Sequence, residues 1–184
     1  MKPCSLILSI ALLGLVSLLA FSSGCREKRA STKAEVVSQM LKHANERHYG
    51  DAIKVGEAWL REQPEDDFVC MQVALVYLAE AKSDIAHREL FIDDATQFAN
   101  RALKVQPNGL ATVQSGAAMF ESAGDLSENV IPEKKCERYR RALELAEREG
   151  ALLGNGGRIP NPENVQQLAR STIARVHSKL NVCR

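Results

Sequence analysis

The chain has 184 residues, 45% of them apolar and 26% charged, with 24 Lys plus Arg against 23 Asp plus Glu. That balance argues against a strong nucleic-acid binder, which would carry a basic excess, and the apolar and charged fractions together argue against wholesale disorder. The length suits one domain, or one short repeat array, that buries most of its apolar surface.

Met1-Lys2-Pro3 is a short basic start, and residues Ser5 to Gly24 carry no charge. A dense apolar block from Leu6 to Phe21 ends in Ser22-Ser23-Gly24-Cys25. A positive start, an apolar stretch and small residues before a cut site read as a secretory signal. With a cysteine directly after the small residues, segment 1–24 resembles a bacterial lipoprotein signal peptide. The resemblance implies that Cys25 becomes the lipid-modified N-terminus and anchors the chain to a bacterial membrane. Arg26, rather than an aspartate, follows the cysteine; by the same resemblance this favours the outer membrane, facing the periplasm. The other reading is a retained single-helix anchor in the inner membrane, since Ser5 to Gly24 is long enough to cross a bilayer of ~30 Å. Arg26, Lys28, Arg29 and Lys33 would then hold the following domain in the cytoplasm.

Of five cysteines, Cys4 would leave with the signal and Cys25 would be acylated. Cys70, Cys136 and Cys183 remain, so at most one internal disulfide forms and one thiol is left over. An exported location permits a bridge. No CxxC pair or Cys/His cluster of zinc spacing is present, which leaves little sequence support for a haem or a structural zinc, and no cofactor is expected. Cys70 reads as a small buried residue.

Residues 25–33 are polar and read as a tether. From about residue 34 the periodicity is helical. Val36, Val37, Met40, Leu41 and Ala44 lie on one stripe. A second helix opens at Tyr49 and stops near Pro64, and a third runs through Phe68, Val73, Tyr77 and Ala81. A fourth carries Phe91, Ala95, Ala99 and Leu103 and ends at Pro107-Asn108-Gly109. A fifth carries Val113, Gly116, Ala117 and Phe120, and Gly124-Asp125 is expected to break it. Lys134 to Arg148 form a sixth. Residues 150–161 are glycine-rich and read as a linker, without the arrangement of a phosphate loop. Residues 162–184 form a last amphipathic helix, with Asn161 as cap and Pro162 at its first position. No stretch alternates with a period of two for long enough to argue for a sheet, so the expected fold is all-α.

The helices come in pairs that resemble one another. Ala52, Gly56, Trp59, Leu60 and Pro64 have the spacing of Ala95, Ala99, Ala102, Leu103 and Pro107. Tyr139, Ala142 and Leu143 keep part of it, while Ala74 and Tyr77 match Ala117 and Phe120. On these residues the segment 34–149 resembles the tetratricopeptide repeat (TPR) family, which pairs antiparallel helices with a period of about 34 residues. The resemblance implies a short right-handed solenoid of three degenerate pairs, closed by the C-terminal helix as a cap. Pro64 and Pro107 stand farther apart than the family period, with the excess around Lys82 to Asp93 as loop or lengthened helix. A second insertion falls at Ser127 to Glu133, and Trp59 occupies a position usually held by a small residue.

The family resemblance also implies a function: a non-enzymatic scaffold that binds a protein or peptide in the groove lined by the first helix of each pair. The groove positions are Gln72, Gln114, Ser115 and Ala118; Met71 and Leu75 either join them or pack on neighbouring helices. The competing reading is an enzyme or small-ligand binder that uses the segments near 82–93 and 127–133. Lys82 to Glu89 holds titratable groups but reads as ordinary polar helix surface. Other candidates have bland explanations. His43 and His48 are five apart, not the three or four that put two ligands on one helical face; His87 and His177 are isolated. Asp66 or Asp67 should cap a helix, and Asp93-Asp94 should do the same before Ala95. Lys134, Lys135, Arg138, Arg140 and Arg141 form a basic cluster expected to be a solvated face, with Glu133, Glu137 and Glu144 interleaved.

Overall fold

The computed structural model describes residues 31–127, 132–154 and 162–183. The signal-like segment, Cys25 and most of the tether lie outside them. The helical unit begins at Lys33 and is built from α1 (Lys33–Asn45), α2 (Tyr49–Glu62), α3 (Asp67–Ser83), α4 (Arg88–Val105), α5 (Leu110–Leu126), α6 (Pro132–Gly154) and α7 (Pro162–Leu180), with a 3-10 turn at Asn181–Cys183. The described residues contain no strand, and the fold is all-α.

Short connections fold successive helices back on each other as antiparallel pairs. The helix α1 packs on α2, α3 on α4, and α5 on α6. Each second helix also meets the next first helix, and first helices meet each other along α1, α3 and α5. This is a repeat-like stack, closed at its C-terminal end by α7 on α6. The spacing between Pro64 and Pro107 is taken up in helix: α3 and α4 are both long, joined only by residues 84–87.

Small side chains set the helix contacts. Ala52, Ala74, Ala95, Ala99, Ala102 and Ala117 are all buried. A Cβ on Gly56 of α2 would strike Val73 of α3 and stand 2.8 Å from Met40 Cε of α1. Gly124 corrects the expected break. It lies inside α5, because a Cβ there would stand 2.5 Å from the Tyr139 ring. The glycine is an approach point for α6, and the helix continues through it to Leu126. Glycine likewise fails to end α6. The helix runs through Gly150 to Gly154, into the expected linker, and carries Leu153 into a buried position. Residues 155–161, including Asn161, lie outside the described part.

Two pairs are tied by the same device. Arg101 of α4 donates to the Pro64 carbonyl at 2.7 Å, and Arg148 of α6 donates to the Pro107 carbonyl at 3.3 Å. Each closing proline thus offers its carbonyl to an arginine of the following pair. Asp66 caps α3 by accepting from the Val69 N–H at 3.1 Å, as expected, and it does more. It also accepts from Trp59 Nε1 at 2.9 Å and from Lys33 Nζ at 2.7 Å. The unusual tryptophan of α2 is therefore a hydrogen-bond donor at the junction of α1, α2 and α3. Burial opposes ionisation of Asp66, but these donors hold its carboxyl below the usual range.

At the other end, Cys136 of α6 is bonded to Cys183 with Cα atoms 5.8 Å apart, while Cys70 is a buried free thiol. Glu121 of α5 is buried and clasped by α7: Arg175 Nε lies at 2.6 Å and Lys179 Nζ at 2.8 Å. Lys179 also reaches Asp125 at 2.7 Å, and Asp125 accepts from the Tyr139 hydroxyl at the same distance. Burial raises the Glu121 carboxyl, but the hydrogen bonds from Arg175 and Lys179 outweigh it and hold the group below its usual value.

Candidate functional site

Two surfaces of the stack offer room for a partner, one on first helices and one on second helices. On the first, Lys33, Ala34, Val37, Ser38 and Leu41 of α1 line a shallow apolar depression of about 560 Å³ with Phe68 of α3. Leu41 is 48% exposed, Phe68 46% and Leu75 40%, well above what a core position shows. Phe68, Gln72 and Leu75 follow one another at helical spacing, so they share a stripe of α3. Lys33 Nζ sits 5.1 Å over the Phe68 ring and ends in the Asp66 carboxylate, so this cation is already satisfied.

Of the expected groove residues, Gln72 lies on that stripe and the other three on α5. Gln72 is half-buried on α3, Gln114 and Ser115 are half-buried on α5, and Ala118 is exposed there. Of the two open alternatives for Met71, packing on neighbours holds: it is buried in the core. None of the four lines the apolar depression itself. That feature was missed because Leu41 and Phe68 read as core. The available signal was width. Val36, Val37, Met40 and Leu41 span more of α1 than one neighbour covers, and only Val36 and Met40 are buried.

The second surface is a cleft of about 570 Å³ between α4 and α6, with Phe120 at its side and Asp93, Lys134, Glu137, Arg138, Arg140 and Glu144 around it. Here the expected solvated basic face is corrected. Arg138 is buried, and its guanidinium bonds Ser127 Oγ, Glu89 Oε1 at 2.6 Å and Asp93 Oδ1 at 2.8 Å. Lys134 Nζ lies 2.6 Å from Asp93 Oδ2, a contact that raises its pKa. Arg141 pairs with Glu144 at 2.5 Å. The acidic partners come mostly from α4 and not from the same helix. Asp93, expected at a helix start, lies inside α4 and serves as one of them. Among the described residues, Arg140 is the cleft cation with no ion-pair partner. The other cleft cations, Lys134, Arg138 and Arg141, are each paired with a carboxylate.

His87 stands at the N-terminus of α4, with Nδ1 2.9 Å from Asp84 Oδ2. His43 and His48 are brought together at the end of α1, where the chain turns. Tyr77 stacks on Phe98 with ring centroids 5.7 Å apart and donates to Glu57 at 3.3 Å, which accounts for it as packing. Glu149 is only 2% exposed, with Oε1 unpaired, and burial raises its pKa.

Among the described residues, no helix is long and apolar enough to cross a membrane. No protein-family model and no curated protein matches the chain.

Proposed function

We propose that this chain is a non-enzymatic interaction scaffold of the TPR type, lipid-anchored through Cys25 in a bacterial envelope, that holds a peptide or partner helix along α1, α3 and α5. The observation that carries the reading is the exposed apolar run Leu41, Phe68 and Leu75 on first helices, continued by the amides of Gln72 and Gln114. Stacked pairs leave such a surface on one side and use it for extended ligands. Apolar anchors give affinity and amides give register. The cation lining the depression, Lys33, is engaged by Asp66, so recognition rests on shape and apolar contact.

Site-specific photo-crosslinkers test this in intact envelopes. Placed at Phe68, Gln72 and Ala118, they should capture one partner in common, while one at Arg140 should not. Capture from Arg140 alone would transfer the function to the α4–α6 cleft and to the small-ligand or enzyme reading. Binding to the isolated partner should weaken only mildly with salt, because few exposed ion pairs would be screened. Anchoring is tested separately by labelling with a fatty-acid analogue. If Cys25→Ser still incorporates label and stays membrane-bound, the lipoprotein reading fails.

A further inference from the structure

The end of α1 is an unusual turn. The His48 N–H donates to the His43 carbonyl at 2.8 Å, and the Arg47 N–H donates to the Ala44 carbonyl at 3.0 Å. Arg47 is left-handed, with φ of 61°. These two bonds and the positive φ define a Schellman cap, in which the residue after the left-handed position is folded back onto the residue opening the last turn. Glycine is usual at the left-handed position, and an arginine there is strained by about 1 kcal/mol or more.

In most Schellman caps, the two residues brought together are apolar and pack on each other. Here they are His43 and His48. A separation of five, which keeps two ligands apart on a straight helix, joins them across this turn. Glu46, the residue between α1 and the left-handed arginine, adds a carboxylate. One ligand atom each from His43, Glu46 and His48 lies within 4.8 Å of the others. The Glu46 carboxylate is already 3.7 Å from His48 Nδ1. Nδ1 of His43 is buried with no hydrogen-bond partner among the described residues.

We infer that the cap of α1 is a binding site for a borderline divalent transition ion such as Zn²⁺, ligated by His43, Glu46 and His48. Two imidazoles and one carboxylate suit such an ion, whereas Ca²⁺ and Mg²⁺ require more oxygen. Tetrahedral bonds of about 2.0–2.1 Å put ligand atoms about 3.3 Å apart. Closing from 4.8 Å falls to Glu46 and His48, both exposed and free to change rotamer. The surrounding field favours a cation. His48 borders a cleft of about 410 Å³ shared with Asp51, Glu80 and Asp84, against Arg47 as the cation lining it. Asp51 pairs with Lys54 at 3.2 Å, and water would complete the coordination of an ion held by the three side chains. Bound metal would join the last turn of α1 to the start of α2 and hold the strained Arg47 in place.

The test is titration of Zn²⁺ against a chromogenic competing chelator, using the full chain in an uncharged detergent with accessible thiols alkylated. One equivalent should bind in wild type, and binding should raise the melting temperature. His48→Ala and Glu46→Gln alter exposed side chains and keep the fold; each should weaken binding at least about ten-fold, since even indirect partners of a metal ligand cost that much. His87→Ala and His177→Ala should bind as wild type does. Absence of stoichiometric binding would overturn the site. So would unchanged affinity in both His48→Ala and Glu46→Gln, or an equal loss in His87→Ala.

Discussion

Cutting the Cys136–Cys183 bond should destabilise the C-terminal end of the stack without unravelling its N-terminal pairs. The two cysteines are 47 positions apart, and the loop between them holds most of α6 and all of α7. Releasing a loop of that length restores chain entropy worth about 4 kcal/mol at 25 °C in the loop-closure model. The cap keeps other attachments, namely the Glu121 clasp and the buried Ala169, Thr172 and Val176 of α7. The Cys136→Ser/Cys183→Ser variant should therefore fold, with α7 the first segment to exchange its amide hydrogens. With a urea dependence of about 2 kcal/mol per M, the midpoint should fall by about 2 M. Far-UV circular dichroism in urea, with and without a phosphine reductant, measures it, and mass spectrometry verifies the redox state. Coincident midpoints for protein verified as oxidised and reduced would refute the argument.

Three further outcomes are expected. Replacing Ala74 or Ala117 with Leu overpacks a helix contact where each alanine is at most 1% exposed, and should cost about 1–3 kcal/mol in denaturant unfolding. Glu149→Met removes a buried carboxyl with an unpaired oxygen and should stabilise the fold by about 1–3 kcal/mol near neutral pH. The folded-state pKa of Glu149 lies above its ordinary 4.5, so wild type loses stability as pH rises through that interval, and the gain should vanish at lower pH. The pH dependence of melting temperature for both proteins checks the sign. Phe68→Ala with Leu41→Ala should change stability little, both side chains being nearly half exposed, yet weaken partner binding at least ten-fold by calorimetry.

The helical class and the pairing were legible because helical periodicity and repeated small residues are local signals. Ala52 through Pro64 and Ala95 through Pro107 announce second helices before any contact is known. What the sequence hid was the partner of each residue. Gly124 carries no mark that separates a helix breaker from an approach point; the difference is the Tyr139 ring, which comes from another helix. Arg138 looked like its exposed neighbours, because Glu89 and Asp93 reach it across the stack. His43 and His48 failed a spacing rule that assumes a straight helix, and the left-handed Arg47 sets that rule aside. Leu41 and Phe68 counted as core since an apolar residue reads alike whether a neighbouring helix covers it or none does.

The three cysteines among the described residues permit three pairings, of which the protein contains one. The burial of Cys70 accounts for the choice. Cys70 sits in α3, in a core with Val69, Val73 and Ala99 that precedes Cys136 in the chain. Its thiol is enclosed, and burial pushes its pKa up. Exchange needs a thiolate within reach. Enclosure of one thiol thus acts as an editor of oxidation, leaving Cys136 and Cys183 to find each other.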